Sequence, residues 1–311
     1  MRKVLAIVLI ALALGGCENP TPIDEHIIGF ASNLSRAIID GVGDLQSDAN
    51  GLKLYASYTL DGTPHQLLDA EKLFFSNNTW NYTNTRYWVT GLSYSFCVVY
   101  PFSTPCSYNN GKITIANYAG SPTGADLLYA SYSRDLTNSE DYSPVPLRFN
   151  HACAALQFNI INASNVTVYQ VSDIYLVGLR NSGTFTFGAD VAAEWELGSS
   201  VVAANDKITF GGTNLQNLPI NINLKQPLYS GGAILVLPQD IADTNVTFHV
   251  AIKRQGSANS EEKTILLGQI GGSAPVKWEA GKKYEYTMTI KENEIVSNVS
   301  VIPWVDHYVD L

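Results

Sequence analysis

Short runs in which apolar and polar residues alternate fill this chain, and they leave it little choice but β-sheet. "LKLYASYTL" puts Leu52, Leu54, Ala56 and Tyr58 on one side, and "KKYEYTMTIK" alternates without a break. Successive side chains of a strand point to opposite faces, so such runs bury one face and solvate the other. "YSFCVVYPF" is almost continuously apolar and fits a core strand ended by Pro101. "GKITIANY", "LLYASYSR", "VTVYQVSDIYLVGL", "GAILVLPQ" and "VTFHVAIKRQ" continue the pattern, separated by Gly, Asn, Asp and Pro. No long segment has the apolar spacing of an amphipathic helix. The best short helix candidate, "NLSRAIIDGVGDLQ", is weakened by Gly41 and Gly43. The chain is therefore expected to be all-β.

So many strands predict two Greek-key β-sandwich domains in tandem. The polar, proline-bearing stretch "LTNSEDYSPVP" at residues 136–146 marks their boundary, giving domains at 27–145 and 146–311. Ahead of them, Arg2 and Lys3 precede an uncharged apolar run from Val4 to Leu14. That run is a secretory h-region, too short to span a bilayer. Leu14-Gly15-Gly16-Cys17 then looks like a lipobox, with Cys17 as the acylated residue and residues 1–17 as lipoprotein signal peptide. Residues 18–26, "ENPTPIDEH", read as a tether.

Lys and Arg number 19 against 28 Asp and Glu, a formal charge of -9. The chain lacks the basic stripe that grips a phosphate backbone, so nucleic acid is not an expected partner. Three cysteines remain beyond Cys17, an odd number that excludes complete internal pairing. Cys97 and Cys106 flank a proline-containing turn and either pair in an oxidising compartment or stay free; Cys153 is left over.

Chemistry-bearing patterns are scarce. None of the five histidines lies in a metal-ligand spacing, and neither a nucleophile elbow nor a nucleotide-binding glycine loop occurs. No sequence feature orients a partner for a Cys–His pair at His151 and Cys153. An enzyme is not expected, nor a cofactor or metal. Trp80, Trp88 and Trp195 either pack in sandwich cores or form a glycan-stacking row, and their burial discriminates the two.

Six stretches occur in order along the chain: "IGFASNLSRA", "YSFCVVYPF", "VPLRFNHACAALQFNI", "GGAILVLPQDI", "WEAGKKYEYTMTI" and "VSVIPWVD". Their order resembles the fimbrillin family of Bacteroidetes fimbrial lipoproteins. The resemblance implies two transthyretin-like sandwiches and no enzymatic activity. It implies a surface fimbria at the outer membrane, with other fimbrial subunits as partners and a lipid anchor. It also implies processing by an arginine-specific protease, here between Arg36 and Ala37. Ile27, Ile28 and Phe30 would form the displaced first strand. The C-terminal run through Val299, Val301, Pro303 and Val305 is then the candidate donor strand. The tail reaches only Leu311, soon after "PWVD", so it is either that donor or the last strand of its own sheet. The second alternative implies a tip or accessory subunit. A lipid-anchored glycan-binding protein is the competing reading.

Overall fold

A computed structural model describes residues 26–33, 45–46, 51–120, 124–210, 216–242, 244–270, 277–291 and 295–303. Among these residues are 24 strands and two single-turn 3-10 segments. Leu45 and Gln46 have helical backbone and are the last described part of the expected helix. The first half carries β1 (Phe30–Asn33), β2 (Leu52–Leu60), β3 (Thr63–Ser76), β4 (Thr79–Asn81) and β5 (Ser93–Tyr100). It continues with β6 (Ser107–Asn109), β7 (Lys112–Ala119), β8 (Leu128–Asp135), β9 (Val145–Arg148) and β10 (Asn150–His151). The second half begins with β11 (Ala154–Asn162), β12 (Tyr169–Val177), β13 (Ser182–Gly188) and β14 (Glu194–Leu197). Short strands follow: β15 (Ile208–Thr209), β16 (Gln216–Leu218), β17 (Gln226–Pro227), β18 (Ile234–Val236) and β19 (Gln239–Asp240). The last are β20 (Thr247–Arg254), β21 (Glu261–Leu266), β22 (Lys277–Trp278), β23 (Lys282–Ile290) and β24 (Ile295–Pro303).

Local chemistry sets the hairpins. Asp61 and Gly62 join β2 to β3 with φ of 50° and 76°, and Asn110 and Gly111 join β6 to β7 with 47° and 78°. Two successive residues at positive φ make a turn whose twist matches the flanking strands, and Asp-Gly and Asn-Gly meet that demand at least strain.

A six-stranded sheet runs in the order β10-β8-β5-β2-β3-β4. β5, one of its two central strands, is buried on both faces, as its continuous apolar run implies. Tyr94, Phe96, Val98 and Tyr100 enter one core with Leu52, Leu54 and Ala56. Cys97 and Val99, on the other face, enter a second core with Tyr55. The second half is a sandwich. One sheet sets β11 between β23 and the short strands β17 and β18, and the other is built on β12, β20 and β21. Between them Phe158 stacks on Phe248 and on Tyr286, with ring centroids 4.6 and 5.1 Å apart. Alternation in β23 buries Tyr284, Tyr286, Met288 and Ile290.

The halves share a layer. β7 pairs with β13 in a four-stranded sheet ordered β14-β13-β7-β6, across the 145/146 boundary expected from the sequence. Behind it lies the core of Cys97 and Val99, completed by Phe185, Phe187, Ala155 and Leu235 of the second half. His151 Nδ1 meets Asp126 Oδ2 at 2.6 Å beside this junction, both side chains buried. Trp195 Nε1 donates to the Ala152 carbonyl at 2.7 Å.

This shared core leads to a prediction. Phe185 packs on Tyr129 of β8 and on Trp195, with centroids 5.0 and 4.9 Å apart. Phe185→Ala is expected to cost about 3–5 kcal/mol, read from the urea midpoint. Amide exchange is expected to rise in β5 and β20 together, because the ring belongs to a core built by both halves.

Candidate functional site

The N-terminal segment lies in a groove of the first half. β1 pairs in parallel with β9, Phe30 opposite Val145 and Asn33 opposite Arg148. Among the described residues β9 has no other strand partner, because β1 and β9 form a sheet of two. Val145 N–H donates to the Gly29 carbonyl at 2.8 Å. Across the segment, Ile28 N–H donates to Arg86 O at 2.9 Å and Trp88 N–H to His26 O at 2.8 Å. Ile27 forms an antiparallel bridge with Tyr87. The Tyr82 hydroxyl donates to the Ile28 carbonyl at 2.9 Å, and His26 stacks on Tyr142 at 3.9 Å. Residues 26–30 are thus held between two walls, Arg86–Trp88 on one side and β9 on the other.

Side chains drive the docking. Ile28 is 0% exposed and Phe30 6%, while Ile27 points out at 54%. Phe30 sits edge-on to Tyr82 and Phe96, with centroids 5.5 and 5.8 Å apart. Burying Ile28 and Phe30 contributes roughly 1.5–3 kcal/mol each. Of the expected first-strand residues, Ile28 and Phe30 fill the groove and Ile27 caps its edge. The groove-lining side chains, Tyr82, Trp88, Val145 and Leu147, were not singled out from the sequence for this role, since residues adjacent in space but distant in sequence leave no periodic mark.

At the other end, β24 pairs antiparallel with β23 from Lys282↔Pro303 to Ile290↔Ile295 and forms the outer edge of its sheet. Val299 lies half-buried against the second-half core, and Val301 is 47% exposed. Cys17, Arg36, Ala37 and Val305 lie outside the described residues.

The pairing of Cys97 with Cys106 is not made: the described cysteines are free thiols. Cys97 Sγ donates to Gly111 O at 3.3 Å, and Cys106 Sγ lies 3.5 Å from the Tyr55 hydroxyl. Burial pushes the Cys97 thiol up to about 12. Burial, with Asp126 adding to it, pushes Cys153 far above the ordinary thiol value. Both stay protonated and unreactive near neutral pH. Trp80 and Trp88 are buried in the first core, so no exposed row of the three tryptophans exists. Trp195, half-buried, lines an open cleft of about 810 Å³ with Arg180, Glu194, Asp240, Lys277 and Glu279. Among the described residues, no three His, Cys, Asp or Glu side chains converge as a metal site.

The family described as Fimbrillin-like matches residues 36–304. A fimbrial protein from Bacteroides vulgatus shares the fold at 16% identity and a TM-score of 0.64, covering 90% of this chain and 99% of its own. A candidate cell adhesion protein from Bacteroides ovatus is similar at 14% identity and a TM-score of 0.51, covering 90% and 97%. At these identities the likeness is one of fold. No curated protein matches the chain significantly in sequence.

The groove geometry predicts how the segment is held. Phe30→Ala is expected to weaken docking by about 3 kcal/mol, or about a hundredfold faster local opening. Hydrogen exchange at the Ile28, Trp88 and Val145 amides reads it, with the amides of β20 unchanged. Wild-type exchange at Trp88 in this variant would show that Phe30 does not hold the segment.

Proposed function

The chain belongs to the fimbrillin-like family, and from that premise we propose that it is a subunit of a surface fimbria that accepts a neighbour's strand at the β1 groove. The observation that carries this reading is the isolation of β9, whose ladder partner is β1. Withdrawal of β1 bares the Val145 N–H that donates to the Gly29 carbonyl, the other ladder groups of β9 that face β1, and the apolar groove that held Ile28 and Phe30. Such an edge pairs readily with another extended chain.

The route to that state starts at the N-terminus. Cys17 is acylated and carries the protein to the outer membrane. Cleavage between Arg36 and Ala37 then severs β1 from the body, since Arg36 follows Asn33 by three residues. The severed segment leaves, and a strand of a neighbouring subunit takes its place. Only a few buried side chains hold β1, so a longer strand with more apolar anchors displaces it.

The seating of β24 supports a tip or accessory position over a place in the shaft. A donor must give up its own edge, and β24 is engaged along its nine residues. The donor role of Val299, Val301, Pro303 and Val305 requires that strand to detach from β23. The competing glycan-binding reading loses its aromatic row with Trp80 and Trp88 in the core.

Treatment of the acylated protein with an arginine-specific protease tests the proposal. The expected product begins at Ala37 and forms oligomers that survive SDS without heating. A product that begins at Ala37 but stays monomeric with added unprocessed or processed subunits overturns strand acceptance. Survival of an intact chain beginning at acylated Cys17 overturns the processing step.

A further inference from the structure

Strand β8 carries a charge on its apolar face. Arg134 shares the period-two phase of Leu128 and Ala130, both buried in the first half, and is itself only 7% exposed. Its guanidinium lies over the Trp88 ring, 4.9 Å from the centroid, and 5.3 Å from that of Tyr132. On its other side it donates to the backbone carbonyls of Asp141, at 3.1 Å, and Ser143. Further bonds go to the Ser143 and Tyr132 hydroxyls at 3.2 Å each and to Pro144 O at 3.5 Å. The Asp141 carboxylate stands 3.6 Å away and half-exposed, so that ion pair contributes little in water. The buried bonds from a charged donor to carbonyls are the stronger part.

These partners sit on both sides of the β1 groove. Trp88 belongs to the wall that bonds His26 and Ile28. Asp141–Pro144 leads directly into β9, the other wall. We propose that Arg134 is the positioning residue of this groove, tying its two walls at strand-accepting width whether or not β1 is present. The inference deepens the reading of the groove as a strand acceptor and rests on it. None of the hydrogen bonds of Arg134 among the described residues goes to residues 26–33, so the tie outlasts the departure of β1. A second, weaker link reinforces it: the Tyr142 hydroxyl meets Thr90 Oγ1 at 2.9 Å.

The task needs an arginine. One planar group must stack on an indole and serve several carbonyls at once, and a lysine ammonium lacks the fork and the flat face. Holding the walls apart in advance removes the ordering cost that an incoming strand would otherwise meet.

Arg134→Met and Arg134→Lys, made in the full chain, test the inference in two readouts. The first is hydrogen exchange in the uncut protein. Residues 86–91 and 141–148 are expected to exchange about tenfold faster in both variants, while β20 stays as in the wild type. An equal rise throughout the chain reduces Arg134 to general stability and overturns the proposal, as does no rise at all. The second readout is capture of a fluorescent peptide, HIIGFASN, by protein cleaved after residue 36 with both pieces retained. Wild type is expected to capture it, with both variants about tenfold slower and methylguanidinium restoring Arg134→Met. Capture at the wild-type rate by both variants overturns the positioning role. Failure of the wild type to capture overturns the strand-acceptor reading instead, and the exchange readout then decides the wall tie alone.

Discussion

A strand that is apolar on both faces is stable only with a layer of structure on each side, and β5 imposes that condition on the chain. Its Tyr94, Phe96, Val98 and Tyr100 need one cover, and its Cys97 and Val99 need another. The second cover is the sheet to which both halves contribute strands. The first includes the short β1–β9 pair, one strand of which is the N-terminal segment. The shared sheet and the groove each cover one face of β5, and its neighbour β2 has the same need, with Leu52 and Leu54 in one core and Tyr55 in the other.

The consequence for function is an unequal distribution of stability. The junction between the halves is sealed by Phe185, Phe187 and Trp195 across a shared ladder. The N-terminal segment is held by two buried side chains and a handful of backbone bonds. Elements that must leave a fold are drawn from its weakly held parts. In the proposed strand-accepting role the weak part is the one that leaves, and the proposed tie at Arg134 keeps the groove's walls in place.

Much of this was legible in the sequence. Alternation in β23 named its inward face, and the unbroken apolar run of β5 announced burial on both sides; β2 departs from its one-sided expectation, because Tyr55 on the face opposite Leu52 and Leu54 enters the second core. Arg134 in "LLYASYSR" falls in phase with Leu128 and Ala130, and a charge among core positions requires buried partners. Those partners lie in a loop and in another segment, so their identity was not legible. Cys97 and Cys106 are close enough in sequence to suggest a bridge, yet their sulfurs turn to Gly111 and Tyr55. Trp80 and Trp88 carry no periodic signal of their side, and only packing put them inside.

The sequence by itself determined the strands, their phase and their tight hairpins. These depend on neighbours along the chain: the two-residue repeat of side chains, and the positive φ that Asp-Gly and Asn-Gly accept. Tertiary structure alone decided that β1 lies parallel to β9, that β7 joins β13, and that β24 seats on β23. Backbone hydrogen-bonding groups are the same in every strand and carry no address. The choice of partner is made by which apolar faces fit together, and that is settled only when distant segments meet.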